Sequence, residues 1–176
     1  MFADPNNIVK QMGIFEGMRV ADFGSGSGNY SLAMAKLVGD SGRVYAVDIQ
    51  GDLLKKVKNL SRTEHPGNIE VIRGDIEKIG GTKLKDNVID AVLLSNVLFQ
   101  LDEKGKTVKE AHRIVKSKGR VVVIDWSDSF GGIGPQPQFV VTKERAKELF
   151  ENGGFVYDRD IDAGSHHYGM IFKKGK

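Results

Sequence analysis

Apolar runs of strand length alternate with stretches of helical periodicity along the chain, and Gly, Asn or Asp stands at most of the junctions between them. Such alternation predicts a mainly parallel sheet covered by helices on both faces, because each crossover between parallel strands needs a helix. The apolar runs predict seven strands, at Arg19 to Phe23, Arg43 to Asp48, Ile69 to Arg73, Val88 to Leu94, Arg120 to Trp126, Phe155 to Ile161 and Tyr168 to Lys173.

Apolar side chains at helical spacing predict the helices that cover this sheet. Thr142 has the side chain of an N-cap for the last of them, and Gly153-Gly154 ends it. The predicted helices are a short one around Pro5 to Met12, then Asn29 to Val38, Asp52 to Leu60, Thr107 to Val115 and Thr142 to Phe150.

The end of the chain departs from the alternating pattern. Only Asp162 to His167 separates the last two strands, which is too short for a crossover helix, so these strands are predicted to form an antiparallel hairpin. The segment Ser127 to Val141 is rich in glycine and proline and is the one long irregular stretch. A loop of this size in a compact domain is usually either functional or mobile.

Composition narrows the class of protein. With 176 residues and 40% hydrophobic content, the chain is expected to form a single domain over residues 1–176. It has no long apolar run and no signal-peptide pattern at its start, so we expect a cytoplasmic protein without membrane contact. The lack of cysteine excludes disulfides, thiolate metal sites and a cysteine nucleophile, and a formal charge of +3 does not by itself indicate nucleic-acid binding.

A glycine-rich turn, Gly24-Ser25-Gly26-Ser27-Gly28, joins the first strand to a predicted helix. Glycines at this point permit a tight turn and let the backbone approach a ligand closely. A strand-to-helix turn often needs glycine for steric reasons alone, so the turn becomes informative only together with its acidic neighbours.

Carboxylates follow the next two strands at the same predicted sheet edge. Asp48 ends the second strand 20 residues after Gly28, which is the spacing at which an acidic side chain binds the two hydroxyls of a ribose. Asp75 follows the third strand, where it is placed to accept a hydrogen bond from the exocyclic amine of adenine, with Ile49 and Ile76 on either side of the base. Together these residues predict a nucleoside site.

The spacing of the glycines indicates which class of nucleoside binds, and so does the presence of Asp22. The dinucleotide fingerprint G-x-G-x-x-G requires glycine at position 29, where this chain has Asn29. Asp22, two residues before the first glycine of the turn, would repel a pyrophosphate and attract an α-amino group. These features favour a nucleoside that carries an amino acid, and the chain has no P-loop sequence of a nucleoside triphosphatase.

Five ordered motifs carry a family resemblance: Val20 to Gly28, Val47-Asp48, Gly74-Asp75-Ile76, Asp90 to Leu98 and Lys118 to Val123. Their order resembles that of class I S-adenosylmethionine-dependent methyltransferases, and most nearly the small-molecule branch that includes the ubiquinone and menaquinone biosynthesis methyltransferases. The resemblance implies a Rossmann-like, doubly wound α/β fold, with seven strands in the order 3-2-1-4-5-7-6 and an antiparallel last strand. It also implies S-adenosylmethionine as the cofactor.

The resemblance assigns parts of the cofactor to parts of the chain. The glycine turn would contact the methionine part, Asp22 would orient its amino group through water, and Ser95 and Asn96 would lie by the methyl-bearing sulfur. The segment at Ser95 lacks the Asn/Asp-Pro-Pro-Tyr motif of enzymes that methylate DNA amino groups or protein glutamine, which argues against those activities. The predicted cofactor-binding residues are Asp22, Gly24, Ser25, Gly26, Asp48, Ile49, Asp75, Ile76, Ser95 and Asn96.

The acceptor side is less defined, because a methyl donor that is already activated needs no nucleophile from the protein, and no catalytic residue is assigned. The hairpin would bring Asp125 and Trp126 close to His166 and His167, and these four residues are predicted to line an acceptor pocket. Alternatively, both histidines only form the hairpin turn. No metal site is predicted, since adjacent histidines on a strand point to opposite faces.

Three functions stay open from the sequence. The first is methyl transfer to an O, N or C atom of a small molecule, with nucleic acid or protein acceptors not excluded. The second is a non-catalytic S-adenosylmethionine-binding sensor or partner subunit, and the third is aminopropyl transfer from the decarboxylated cofactor. The pocket is expected either to stay open or to be completed by the second subunit of a homodimer.

Overall fold

A computed structural model describes residues 4–64 and 67–176. Its strands form one sheet in the order β3-β2-β1-β4-β5-β7-β6. Neighbours among the first five strands are parallel, and β7 runs antiparallel between β5 and β6. The predicted fold class, strand order and hairpin are therefore confirmed. The strands are β1 Arg19–Phe23, β2 Arg43–Asp48, β3 Ile69–Arg73, β4 Ile89–Ser95, β5 Val115–Trp126, β6 Phe155–Ile161 and β7 His167–Lys174.

All five predicted helices are present, although α3 and α4 begin earlier than the periodicity indicates. The Thr142 side chain accepts a hydrogen bond of 3.3 Å from the Arg145 backbone N–H, which confirms the predicted N-cap. Two short 3-10 turns, at Leu98–Gln100 and Pro137–Phe139, had no sequence signal. The helices are α1 Pro5–Gln11, α2 Asn29–Val38, α3 Gly51–Glu64, α4 Lys104–Ile114 and α5 Lys143–Asn152.

Strand β5 corrects the predicted boundary, because it starts at Val115, directly after α4, and not at Arg120. Its register with β4 moves from the pair Ile89 and Val115 to the pair Ala91 and Arg120. Residues 116–119 therefore form a bulge in β5. The polar sequence of these residues is typical of a loop. A bulge accommodates it because the extra residues lie outside the regular hydrogen-bonded ladder between β4 and β5.

Apolar side chains cover both faces of the sheet. Val20 packs in a cluster with α1 and α2, whereas the next residue, Ala21, packs in a cluster with α4 and α5. This alternation explains why central strands such as β1 and β4 consist of nearly continuous apolar runs. No helix in the described ranges is long and apolar enough to cross a membrane.

The switch in strand order positions the site. The chain leaves β1 toward β2 and β3 and returns to β4 on the other side of β1. The connections after β1 and β4 therefore diverge at the carboxyl edge of the sheet and leave a crevice between them. Ligands of open α/β sheets bind at such a crevice.

The face covered by α4 and α5 is held together by aromatic rings. Phe150 is fully buried, and its ring centroid lies 5.1 Å from that of Phe172 and 6.0 Å from that of Phe155. We expect Phe150→Ala to lower the free energy of unfolding by about 3–5 kcal/mol, because the smaller side chain leaves a cavity. Denaturant titration measures this change. The exposed Val156→Ala serves as the control, and equal stabilities of the two variants would contradict the assignment.

Candidate functional site

Two cavities adjoin at the carboxyl edge of the sheet. The one at the switch point, here called the β1–β4 cavity, has a volume of about 460 Å³. The other follows β2 and β3, has a volume of about 360 Å³ and is called the β2–β3 cavity. Both are lined by Gly24, Gly26 and Gln100, so the glycine turn forms part of the wall of each.

All ten predicted cofactor-binding residues line one of these two cavities. The β2–β3 cavity is lined by Asp48, Ile49, Asp75 and Ile76. The β1–β4 cavity is lined by Asp22, Ser25, Ser95 and Asn96. The strand order thus brings together residues from four separate parts of the sequence.

The glycine turn adopts a backbone that side chains would block. Gly24, Gly26 and Gly28 have φ angles of 72°, 52° and 85°. A Cβ on Gly24 would lie 2.5 Å from Val97 Cγ2, and one on Gly28 would lie 2.7 Å from Val57 Cγ2. The turn therefore requires glycine both for its left-handed φ angles and for its packing.

Asp48 connects the end of β2 to the glycine turn. Its Oδ2 accepts a hydrogen bond of 2.9 Å from the Gly26 backbone N–H, and its Oδ1 accepts one of 2.9 Å from the Gln50 backbone N–H. The residue is only 6% exposed. Each carboxylate oxygen can accept a second hydrogen bond, so the side chain can hold two ligand hydroxyls as well.

Asp75 and two isoleucines shape the β2–β3 cavity. The Asp75 carboxylate accepts a hydrogen bond of 2.9 Å from the Glu77 backbone N–H and lies 3.0 Å from Lys78 Nζ. The hydrogen bonds from Lys78 and Glu77 lower the pKa of Asp75, so it is ionised at neutral pH. Ile76 is buried, while Ile49 is 61% exposed, which leaves an apolar surface for a flat group.

Asp22 is a buried carboxylate in the wall of the β1–β4 cavity. It is 2% exposed, and its Oδ2 accepts a hydrogen bond of 2.6 Å from Ser31 Oγ. Burial raises the pKa of Asp22 to about 6; the charge of Asp48 acts in the same direction and the Ser31 hydrogen bond opposes both. A cationic ligand group beside Asp22 would relieve this unfavourable burial of charge.

The β1–β4 cavity also contains buried polar atoms that fit a polar ligand. Within the described part of the chain, Ser25 Oγ and Asn96 Oδ1 are buried without a hydrogen-bond partner. Asn96 has a left-handed φ of 55°, held by a 2.8 Å hydrogen bond from its backbone N–H to the Ile124 carbonyl. Buried polar atoms are normally paired, so these two are candidate contacts to a bound molecule.

Tyr30 and Gln100 are among the lining residues that were not predicted from the sequence. Tyr30 lines the β1–β4 cavity in the first turn of α2, and burial raises its pKa. Its position two residues after Gly28 was an available signal, because the start of a helix that follows a glycine turn faces the same ligand. Gln100 lines both cavities and belongs to the 3-10 turn that had no sequence signal.

His167 and Trp126 meet at the β1–β4 cavity through the β5–β7 pairing. They are paired across the strands, and their ring centroids lie 4.2 Å apart. His167 lines the cavity, and the Trp126 ring packs against the His167 ring. Burial lowers the pKa of His167, and repulsion from His166 adds to this, while Asp128 opposes it.

The other two predicted acceptor residues are placed differently. Asp125 is 1% exposed and lines neither cavity; its carboxylate accepts hydrogen bonds of 2.8 Å from the backbone N–H groups of Leu98 and Trp126. Burial raises its pKa to about 6, and these hydrogen bonds oppose the rise. His166 also lies outside both cavities, stacked on Phe130 and 3.2 Å from the Asp128 carboxylate. Asp125 therefore holds the turn after β4 through its hydrogen bonds, and His166 packs on the long loop at residues 127–141.

A metal ion would need a cluster of donor side chains, and the described residues contain none. No group of three or more His, Asp or Glu side chains within residues 4–64 and 67–176 is arranged to hold a metal ion. The two adjacent histidines also contact different neighbours, His166 meeting Phe130 and His167 meeting Trp126.

Comparison with known proteins agrees with this geometry. A family model described as a methyltransferase domain matches residues 14–170. The crystal structure of an S-adenosylmethionine-dependent methyltransferase from Aquifex aeolicus is 29% identical, with a TM-score of 0.87 over 98% of this chain and 89% of that one. The fold and the family thus agree over nearly the same residues.

Curated relatives match a shorter part of the chain. The ubiquinone/menaquinone biosynthesis C-methyltransferase UbiE of Pseudomonas fluorescens is 32% identical over 120 residues, which are 68% of this chain and 46% of that protein. The protein of the same name from Haemophilus ducreyi is 30% identical over 119 residues, 65% of this chain and 44% of that protein. The chain spans about half the length of these relatives. It belongs to the methyltransferase-domain family of class I S-adenosylmethionine-dependent methyltransferases, and its cofactor is S-adenosylmethionine.

Proposed function

We propose that the chain transfers the methyl group of S-adenosylmethionine to a small, uncharged organic acceptor. The observation that carries this proposal is the meeting of the two cavities at the glycine turn, with Asp48 and Asp75 on one side and Asp22 on the other. An adenosine needs hydrogen-bond acceptors for its hydroxyls and amine, and a methionine tail needs an anion for its amino group. The arrangement matches both needs.

The β2–β3 cavity is proposed to hold the adenosine part. Asp48 accepts hydrogen bonds from the ribose hydroxyls while its backbone partners keep it oriented. Asp75 accepts one from the adenine amine, and Ile49 and Ile76 contact the two faces of the base.

The β1–β4 cavity is proposed to hold the methionine part and the acceptor. Gly24, Gly26 and the Ser25 hydroxyl contact the methionine part, and Asp22 attracts its amino group. Ser95 and Asn96, at the end of β4, lie by the sulfur.

The cofactor supplies a methyl group already activated on a sulfonium, so the chain needs no nucleophile of its own. Its residues have to orient the acceptor and exclude water. His167 lines the same cavity, and its lowered pKa leaves the ring neutral at pH 7, which is the form whose imidazole nitrogen takes a proton from a hydroxyl acceptor. Trp126 fixes the orientation of that ring by packing on it.

The lining of the β1–β4 cavity supports an uncharged acceptor. Ile8, Ile124 and Ala163 supply its apolar surface, and no lysine or arginine is among its described lining residues. An acceptor with a phosphate or carboxylate would lack a cation to pair with, and a nucleic-acid backbone is bound chiefly through such cations. The curated relatives, which are named for the biosynthesis of ubiquinone and menaquinone, are consistent with a small organic acceptor.

The proposal is tested by binding and by transfer. Calorimetry with S-adenosylmethionine and S-adenosylhomocysteine measures cofactor binding. Transfer of labelled methyl from S-adenosylmethionine to metabolite, tRNA and protein pools then identifies the acceptor class. We expect label in a neutral small molecule. Binding without transfer to any pool would indicate a cofactor sensor or partner subunit, and label in tRNA or protein would contradict the proposed acceptor.

Asp48 is expected to contribute most of the ribose affinity. Asp48→Ala should weaken S-adenosylhomocysteine binding by about 1–3 kcal/mol, because it removes hydrogen bonds to a charged group and loosens Gly26. Calorimetry gives the dissociation constant. Asp52→Ala, which changes an exposed aspartate at the start of α3, is the matched control. An unchanged constant in Asp48→Ala would refute the ribose assignment.

Asp22 is expected to make cofactor affinity depend on pH. Its pKa of about 6 means that it is mostly protonated at pH 5 and ionised at pH 7, and only the ionised form attracts the amino group. The dissociation constant for S-adenosylhomocysteine should therefore fall about tenfold from pH 5 to pH 7. Asp22→Asn should bind weakly at both pH values. The same pH slope in parent and variant would exclude Asp22 as its source.

His167 is expected to affect turnover more than cofactor binding. With the acceptor found in the transfer screen, His167→Ala should lower kcat by about 100-fold, the usual effect of losing a general base, and leave the S-adenosylhomocysteine affinity nearly unchanged. His166→Ala removes the neighbouring ring, which lies outside the cavity, and should lower kcat less. Equal turnover in parent and His167→Ala would remove this residue from the mechanism.

A further inference from the structure

Glu110 is a buried carboxylate that the proposed mechanism does not use. Its side chain, on α4, has no exposed surface and forms an ion pair of 2.7 Å with Arg113. Burial raises the pKa of Glu110, but hydrogen bonds from Arg113, Thr82 and Gly80 outweigh that effect and leave the pKa below its ordinary value. The carboxylate is therefore charged, and donors surround it.

These donors belong to the connection between β3 and β4. Glu110 accepts 2.8 Å and 3.3 Å hydrogen bonds from the backbone N–H groups of Gly80 and Thr82, and one of 2.6 Å from Thr82 Oγ1. Arg113 donates to the Leu84 carbonyl at 2.8 Å, further along the same connection. A single buried ion pair on α4 thus holds both the middle and the end of this connection.

Gly81 links this anchor to the adenosine side of the site. It lies between the two residues that Glu110 holds, and a Cβ on it would come within 2.0 Å of the Asp75 carbonyl oxygen. A Cβ on Gly74 would likewise lie 2.4 Å from the Gly81 carbonyl oxygen. The backbone held by Glu110 therefore packs directly on the backbone that carries Asp75.

The β3–β4 connection has a second tie to α4 near the cavity. The Glu77 carboxylate accepts a hydrogen bond from the Glu103 backbone N–H at the start of that helix. Glu77 also lines the β2–β3 cavity. The wall of this cavity is thus fixed to α4 at both ends of the segment 77–82.

We propose that Glu110 is a positioning residue for the adenosine part of the cofactor, acting through Gly80, Thr82 and the packing of Gly81 on Asp75. The inference rests on the proposed function, because it assumes that adenosine occupies the β2–β3 cavity. An ion pair removed from water stabilises a fold only when its hydrogen bonds are complete, and in some proteins such groups serve to specify one conformation. Here the specified conformation is that of the Asp75 segment.

Two variants of the full chain separate positioning from stability. Glu110→Gln weakens the charged hydrogen bonds, and Thr82→Val removes one donor while it keeps the carboxylate and Arg113. Calorimetry of each with S-adenosylhomocysteine and with adenosine gives the dissociation constant and, separately, the binding stoichiometry. We expect both dissociation constants to rise about tenfold in both variants, as for displaced supporting groups. Glu151→Gln, the same change at an exposed position on α5, should bind like the parent.

The results of these measurements distinguish a positioning role of Glu110 from a structural one. A merely structural role would lower the melting temperature and the stoichiometry, because less protein is folded, but would leave the dissociation constants of the folded fraction unchanged. Dissociation constants within about twofold of the parent in the folded variants would overturn the inference alone. Failure of the parent to bind S-adenosylhomocysteine would overturn the proposed function and this inference together.

Discussion

The hydrogen bond from the Gly26 backbone N–H to Asp48 Oδ2 joins the two halves of the site. Gly26 belongs to the turn after β1, whereas Asp48 ends β2, and each lines the β2–β3 cavity. The bond holds the turn against the neighbouring strand end, so the two cavities share one wall. The turn can take this position because its glycines present only backbone to Val97 and Val57. Relaxing this contact would change both cavities at once.

Glu110, Asp125 and Asp22 are buried carboxylates that differ in how their charge is balanced. Glu110 is paired with Arg113, and Asp125 accepts backbone hydrogen bonds at both oxygens. Asp22 has the Ser31 hydroxyl and also lines a cavity, which leaves it facing the space where a ligand would lie. The first two are thus paired with groups of the protein itself. Asp22 is the one whose burial a cationic ligand would compensate, which is why the proposed methionine position depends on it.

The position of His167 in the β1–β4 cavity depends on a different part of the fold, the β6–β7 hairpin and the long loop that precedes α5. Gly134 has a φ of 85°, and a Cβ on it would lie 2.8 Å from the Trp126 ring, so the loop packs closely on that ring. His166 stacks on Phe130 in the same loop. The loop and the hairpin therefore brace the ring of His167 from outside the cavity.

Local sequence determined much of this protein. Apolar runs, helical periodicity and the short link before β7 were sufficient to predict the five helices, the seven strands and the hairpin, because each of these depends on nearby residues, whereas the strand order came from the family resemblance. The glycine turn and the acids after β2 and β3 were also recognisable, because parallel strands bring their carboxyl ends to one edge whatever their sequence separation. The bulge at residues 116–119 was not recognisable, because its polar residues are typical of a loop and only the pairs on either side of it, Ile89 with Val115 and Ala91 with Arg120, show that it lies within β5.

Tertiary structure decided which of the polar side chains face the site. Asp125 and His167 are equally plausible as acceptor residues in the sequence. In the structure, the Asp125 carboxylate accepts hydrogen bonds from backbone N–H groups, whereas His167 lines the β1–β4 cavity. Tyr30 and Gln100 reach the cavities through a helix start and a 3-10 turn. The orientation of these side chains depends on contacts between elements that are distant in sequence. The pattern of residues along the chain does not predict those contacts.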